Sequence, residues 1–265
     1  MTTAISAPDL LAQTLDMLGA DHFSDALRRW LDRCCGIDNF AVIAFFSGKG
    51  PQVLATHATD ARVFARVDSD YVQGAYLLDP FHGLHQAEAP EGVYRLSDIA
   101  PDQFQRNEYY KSYYARTTLT DELAFLARPA SGVSITVCIG RDATTGARFS
   151  ARACTQARQI APVVNALVRR NWSDLGAITS PPPDVPAALR QRLARDRDIL
   201  LSARQSQVAL LILQGHSSVS IGLTLGISPQ TVKVLRKQLY KKCHISSQGE
   251  LYYLIAPFLD LIRAA

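Results

Sequence analysis

A chain of 265 residues can hold two ordinary domains, and at 48% hydrophobic and 20% charged residues it is not a disordered tail. The longest apolar run, Phe40 to Phe46, falls far short of the ~20 residues a spanning helix needs, and the first basic residue is Arg28, so a secretory signal is not expected and a cytoplasmic protein is. The net charge of +4 is unevenly spread: from Leu201 onward seven bases face two acids, whereas the first 200 residues carry 21 bases and 22 acids, which points to a polyanion partner for the last quarter alone.

In chain order, Asp9–Leu18 and Phe23–Cys35 space their apolar residues as helices do, for example Phe23, Leu27, Trp30, Leu31 and Cys34. Asn39–Phe46 and Gln52–Thr56 are short and rich in Val, Ile and Phe around Gly48, Gly50 and Pro51, a hairpin signal. Val67–Leu78 is expected as a helix that stops at Asp79-Pro80, because a residue before proline is pushed out of the helical region. Asn107–Arg116 reads as a further helix, Leu123–Ala127 and Val133–Arg141 as strands, and Ser150–Trp172 as a long helix capped by Ser150. Two hairpins flanked by helices describe an α/β/α sandwich around one antiparallel sheet, the plan of small-molecule sensor domains.

Four prolines in Pro181–Pro186 cannot sit inside a helix or central strand, so this stretch is expected to be a semi-rigid linker. The expected organisation is a ligand-sensing and dimerisation domain over 1–175, a linker and connecting helix over 176–200, and an all-α four-helix DNA-binding domain over 201–265. The fold class is thus α+β. Five cysteines (Cys34, Cys35, Cys138, Cys154, Cys243), odd in number and without CxxC spacing, read as structural thiols in a reducing compartment.

The C-terminal stretch is dense in helix punctuation. Ser202-Ala203-Arg204-Gln205 has the form of a capping box, followed by Val208, Leu211 and Ile212 on one face and a stop at Gly215. Ser217-Ser218 can cap a short second helix ending at Gly226, and Ser228-Pro229 starts a third. Two helices joined by Gly226-Ile227-Ser228 form a helix-turn-helix pattern. On the third helix Val232, Leu235, Leu239 and Lys242/Cys243 recur at three- and four-residue steps, and the aliphatic members should face inward, leaving Gln230, Lys233, Val234, Lys237 and Lys241 outward. Long donors suit guanine acceptors in the major groove, and Val234 suits a thymine methyl. Ser228, Thr231, Arg236, Lys241 and Lys242 are better placed for phosphates.

Residues 201–251 resemble the LuxR-type (GerE-like) helix-turn-helix. The match rests on Leu201-Ser202-Ala203-Arg204, Gly215, Ile227-Ser228-Pro229-Gln230-Thr231-Val232-Lys233, and the Lys-Lys-Cys-His-Ile-Ser-Ser stretch at 241–247. The resemblance implies base contacts from Lys233, Val234 and Lys237. Four positions depart from the family pattern: Gln205 and Gln207 replace two acids, Ser220 a glutamate and Leu235 a histidine. These changes bear on helix–helix pairing.

Before the linker, Tyr71-x4-Tyr76-x2-Asp79-Pro80 with a later Tyr94 resembles the autoinducer-binding domain of quorum-sensing LuxR regulators, although the lactone-gripping Trp of that family is missing and its second Trp position holds Tyr94. The resemblance implies a ligand site at Tyr71, Tyr76, Asp79 and Tyr94. Tyr109 with Tyr113, and Tyr110 with Tyr114, fall on shared helix faces. They would be either core packing or an aromatic wall, which with Asp79, Asp121 or Glu122 could hold a polar or cationic ligand. A receiver domain would need an acidic cluster at strand ends, and Ser47-Gly48 and His57-Ala58 supply none. No catalytic constellation, cofactor motif or metal set stands out; His82 and His85 have no further ligands nearby.

The expectation is a homodimeric transcription regulator, not an enzyme, that binds double-stranded DNA and answers to a small-molecule effector without a membrane or cofactor. The alternative is a ligand-independent or protein-controlled regulator whose N-terminal domain only dimerises.

Overall fold

The computed structural model describes residues 5–47, 49–176 and 184–262, with side chains through Phe258. The core of the expected proline-rich linker, 177–183, lies outside the described residues. The elements run α1 (Ala7–Asp16), α2 (Phe23–Cys35), β1 (Asn39–Phe46), β2 (Gln52–Ala58), α3 (Pro80–Gln86), β3 (Gly92–Arg95), α4 (Leu96–Ile99), α5 (Glu108–Ser112), β4 (Leu119–Ala130), β5 (Val133–Asp142), α6 (Ala151–Asn171), α7 (Val185–Arg197), α8 (Ala203–Gln214), α9 (Ser218–Leu225), α10 (Pro229–Cys243) and α11 (Gln248–Ile262). No helix among the described residues is long and apolar enough to cross a membrane.

The strands form one antiparallel sheet in the order β2-β1-β5-β4-β3. Alternation sorts its side chains into two faces. Phe40, Val42, Ala44 and Phe46 of β1 share a core with Val133, Ile135, Val137 and Ile139 of β5 and Leu123, Phe125 and Ala127 of β4. Helices α1, α2 and α6 cover that face. The first half of the buried stripe of the 21-residue α6 is largely alanine (Ala153, Ala157, Ala161), which lets that half lie close to the strands, and Ser150 caps the helix by accepting from Ala153 N at 3.1 Å. Trp172, just past its end, meets Phe23 edge to face at 5.4 Å. The opposite face is buried as well, through Ala41, Ile43, Phe45, Leu126 and Cys138. On that face the His85 ring lies 6.1 Å from Phe45, and its Nδ1 is 2.7 Å from Ser134 Oγ. This is the mixed α+β class expected.

Local departures have local causes. The helix expected over Val67–Leu78 is a π turn (Val67–Tyr71) and a 3-10 turn (Ala75–Leu78), separated at Gly74, while Pro80 starts α3 instead of only ending what precedes it. The Asn107–Arg116 helix breaks at Tyr113 into α5 and a 3-10 turn. Strand β3 has four residues, too few for a periodicity to show.

The chain divides into two compact units, Met1–Ala65 with Leu84–Ile99 and Thr118–Ser180, and Arg66–Gly83 with Ala100–Thr117 and Pro181–Ala265. Two segments from before the linker therefore fold with the C-terminal helices. Their joint is the end of α8. Gln103 N donates to Gly215 O at 2.9 Å, the buried Asn107 Nδ2 donates to Leu213 O at 3.1 Å, and Gln214 Nε2 donates to Leu77 O at 3.2 Å. Gly215 closes α8 with φ +97°, and a Cβ there would stand 2.8 Å from Asn107 Nδ2 and 2.9 Å from Phe104 Cα. Gly215→Ala thus meets both the left-handed backbone penalty and a backbone clash, and should cost at least about 1–3 kcal/mol. Thermal denaturation checks it; an unchanged melting temperature would refute the packing of 100–117 on α8.

Candidate nucleic-acid interface and effector site

The DNA-binding candidate is built from helix ends. Ser202 and Gln205 form the reciprocal capping box, with Gln205 N donating to Ser202 Oγ at 3.2 Å and Ser202 N to Gln205 Oε1 at 2.9 Å. Ser217 caps α9, and Asp102 adds a carboxylate that accepts from Ser217 N at 2.9 Å. Between α9 and α10 the chain turns through Gly226 at φ +66°. Gly222 lets the turn fold back on α9: its own Cβ would lie 2.7 Å from Ile227 O. Ser228 Oγ then accepts from Thr231 N at 3.0 Å, and Pro229 occupies the first turn of α10.

Helix α10 buries Val232, Leu239 and Cys243, with Leu235 half-buried. The expected outward residues Gln230, Lys233, Val234, Lys237 and Lys241 are exposed, and so are Thr231 and Lys242. Arg236 lies over the Tyr240 ring at 5.1 Å and is only half-exposed. Ser228 and Thr231 share a hydroxyl contact of 2.8 Å. Lys242 Nζ donates to Leu200 O at 2.7 Å and Gln205 Oε1 at 3.1 Å, which uses two of its three donors. Gln205 is the position where the family carries an acid. Here its buried amide also donates to Gln238 Oε1 at 3.3 Å, so a neutral network holds α8 to α10. At Ser220, a second departure, the hydroxyl meets His216 Nδ1 at 2.7 Å.

Of the expected effector residues the structure brings together Tyr71, Tyr76 and Asp79. Tyr71 donates its hydroxyl to Asp79 Oδ2 at 2.5 Å, and Phe81 N donates to Asp79 Oδ1 at 2.8 Å. Tyr71 lies 6.4 Å from Tyr76 and 5.8 Å from Tyr113 between ring centroids. The pairing by helical spacing holds despite the broken helix: Tyr109 stacks on Tyr113 at 5.6 Å, and Tyr110 on Tyr114 at 5.4 Å. Tyr94 belongs to the other unit, on β3, and donates to Pro90 O at 2.6 Å. Asp121 lies in the other unit, on β4. It pairs with Arg95 and accepts from Phe149 N at 3.0 Å. His82 meets Tyr76 edge to face at 4.9 Å, and no metal-binding group of His, Cys, Asp or Glu occurs among the described residues. All five cysteines are free thiols. Sequence reading missed a cleft of about 290 Å³ lined by Arg66, Asp70, Leu78, Ser112, Tyr113 and Tyr252; it joins residues far apart in the chain.

Burial pushes the Asp79 carboxyl up to about 6, against the Tyr71 hydroxyl and the Phe81 amide, which both pull it down. Burial drives the His85 imidazole the other way, to about 4. The two contributions to stability run in opposite directions with pH. The folded state holds the Asp79 proton more tightly than the unfolded chain, so this term is lost as pH rises from about 4 to about 6. The His85 term is gained between about 4 and 6.5. Asp79→Asn removes only the first. Its stability relative to the parent should therefore be higher at pH 7 than at pH 4.5, by on the order of 1–2 kcal/mol; partial contact of the carboxylate with water trims the full linkage value. Melting curves of both proteins at the two pH values test this, and a pH-independent difference would contradict it.

Residues 200–255 match the family model described as "Bacterial regulatory proteins, luxR family". A protein of Aeromonas salmonicida, described as an HTH-type transcriptional regulator in the exeN 3' region, is 29% identical over 182 residues, covering 66% of this chain and 92% of its own. Among solved structures the VqsR LBD domain of Pseudomonas aeruginosa aligns with a TM-score of 0.53 and 25% identity, over 62% of this chain and 95% of that domain. SdiA of Escherichia coli aligns at 13% identity and a TM-score of 0.43, over 96% of this chain and 97% of its own.

Proposed function

From a C-terminal helix-turn-helix domain of the luxR family, we propose that this chain is a homodimeric regulator that reads duplex DNA with α10 and is controlled by a small molecule bound before the linker. The chain is a DNA-binding transcription regulator rather than an enzyme. The observation that carries the DNA readout is the exposed face of α10, where Lys233, Val234 and Lys237 stand clear of the core at three- and four-residue steps. In our reading Lys233 and Lys237 donate to guanine edges and Val234 packs on a thymine methyl. Gln230 reaches the same groove. Ser228, Thr231, Arg236, Lys241 and the remaining donor of Lys242 hold phosphates.

A small-molecule effector is supported by the likeness to the VqsR LBD domain and by the carboxylate among aromatic rings at Asp79, Tyr71 and Tyr76. Asp79 would exchange the Tyr71 hydroxyl for a donor on the ligand, an amide or an ammonium. A second reading, a regulator whose N-terminal part only dimerises, is favoured by one feature: Tyr71, Tyr76, Tyr109 and Tyr113 are all buried, and both Asp79 oxygens already accept bonds within the protein. Dimerisation follows from the reading mode, since one short helix-turn-helix makes few contacts and such proteins commonly bind two half-sites about one helical turn apart.

Replacing Lys233 or Lys237 by Ala should cost about 1–3 kcal/mol at one position of an operator selected from a random pool, with little effect on random duplex. Titration of both duplexes decides; equal weakening of the two would remove Lys237 from the groove. For the effector, a compound at about 100 times its Kd adds roughly 2.7 kcal/mol of stability. Asp79→Asn should abolish most of the resulting thermal shift for a cationic ligand and part of it for a neutral amide. Native mass spectrometry of the full chain should show a dimer. A metabolite panel that stabilises the variant as much as the parent would favour the second reading.

A further inference from the structure

Helix α7 lies outside the matched segment 200–255, yet it is built into the DNA-binding region. Val185, Leu189 and Leu193 recur every four residues, are buried, and face α8 and α11. The helix closes on Asp198 in the left-handed region, with Ile199 N donating to Leu193 O at 3.0 Å, and Ile199 and Leu201 are buried. The strap from Arg197 to Arg204 is therefore held at both ends. Lys242 fixes its place: the ammonium donates to Leu200 O, in the middle of the strap, and to Gln205 just beyond it. The strap thus runs beside the Lys241-Lys242 end of α10.

Its charges are one-sided. Arg197 stands one turn past Leu193 on the same stripe and is exposed; Arg204 lies in the first turn of α8 and is exposed. Among the described residues no ion pair engages either guanidinium, although Arg204 donates to Gln207 Oε1 at 3.1 Å. Arg195, by contrast, is already held by Asp196 at 2.6 Å. On the strap itself the only acid is Asp198.

We propose that Arg197 and Arg204 extend the DNA face beyond the helix-turn-helix, binding phosphates of the duplex backbone next to the segment that α10 reads. The proposal rests on the DNA-binding reading above. Guanidinium groups match phosphate oxygens with two parallel donors, and each phosphate neutralised releases counterions, so the contacts leave a signature in salt dependence. The full chain with R197A/R204A is compared with the parent by fluorescence anisotropy on a random-sequence 40-base-pair duplex at 50 and 200 mM salt. Two lost contacts lower the slope of log affinity against log salt by about 2, so the affinity lost between the two salt concentrations should be about tenfold smaller than for the parent. R197K/R204K keeps the charge and should keep most of the slope. If the double alanine variant melts early, single R197Q and R204Q variants carry the test, each with a slope change of about 1. A parental slope in folded alanine or glutamine variants overturns the proposal and leaves both arginines as solvated surface. A parent that binds neither random nor selected duplex overturns the DNA-binding reading itself, and this proposal with it.

Discussion

The C-terminal helical unit depends on how the last turn of α8 disposes of its carbonyls. A helix end leaves four acceptors without intrahelical partners, and burying them unpaired costs about as much as losing hydrogen bonds. Here Leu211 O accepts from His216 N, Ile212 O from Gly215 N and Gln248 Nε2, Leu213 O from Asn107 Nδ2, and Gly215 O from Gln103 N. Asn107 is wholly buried and does two jobs, since its Oδ1 also accepts from Tyr110 N and so caps α5. The Asn107 side-chain amide, together with the Gln103 backbone N–H, ties segment 100–117 to the end of α8, and Gly215 is the residue that makes room for it.

Because α8 is anchored in this way, α10 is free to present charge. Its buried residues seat it on α8 and α9, its ends are closed by Ser228 and His244, and the bases fall on the face left over. The uncharged amides of Gln205 and Gln238 and the Lys242 ammonium form a network between α8 and α10 at a position where the resembling family carries an acid. It holds the helices with hydrogen bonds and adds no negative charge to the α10 surface. A carboxylate at Gln205 would grip Lys242 more strongly and reduce the positive field of the same surface.

The aromatic cluster around Asp79 sits in the same compact unit as the helix-turn-helix. Tyr71 contacts both Asp79 and Tyr113, and Ser112 Oγ, next to Tyr113, donates to the Tyr252 hydroxyl of α11 at 3.1 Å. A ligand that displaced the Tyr71 hydroxyl from Asp79 would disturb rings stacked one residue from that contact. In the proposed reading, coupling between a ligand at Asp79 and the C-terminal helices would need only side-chain displacement along these packed groups.

What the sequence determined by itself was whatever is decided within a turn or two of chain. The capping box at Ser202, the left-handed closures at Gly215 and Gly226, the Ser228-Pro229 start, β1 at Asn39–Phe46 and α2 at Phe23–Cys35 were all legible, because caps and periodic burial involve neighbours in sequence. The stacked pairs Tyr109–Tyr113 and Tyr110–Tyr114 were legible for the same reason, even though the helix around them breaks. Only the tertiary structure decided that 66–83 and 100–117 fold with the C-terminal helices, that Tyr94 belongs to a different unit from Asp79, and that Lys242 is tied to the strap at Leu200. Those outcomes rest on hydrogen bonds between residues roughly 40 to 140 positions apart. An asparagine that caps its own helix through Oδ1 looks the same in sequence whether or not its Nδ2 reaches a carbonyl 106 residues away.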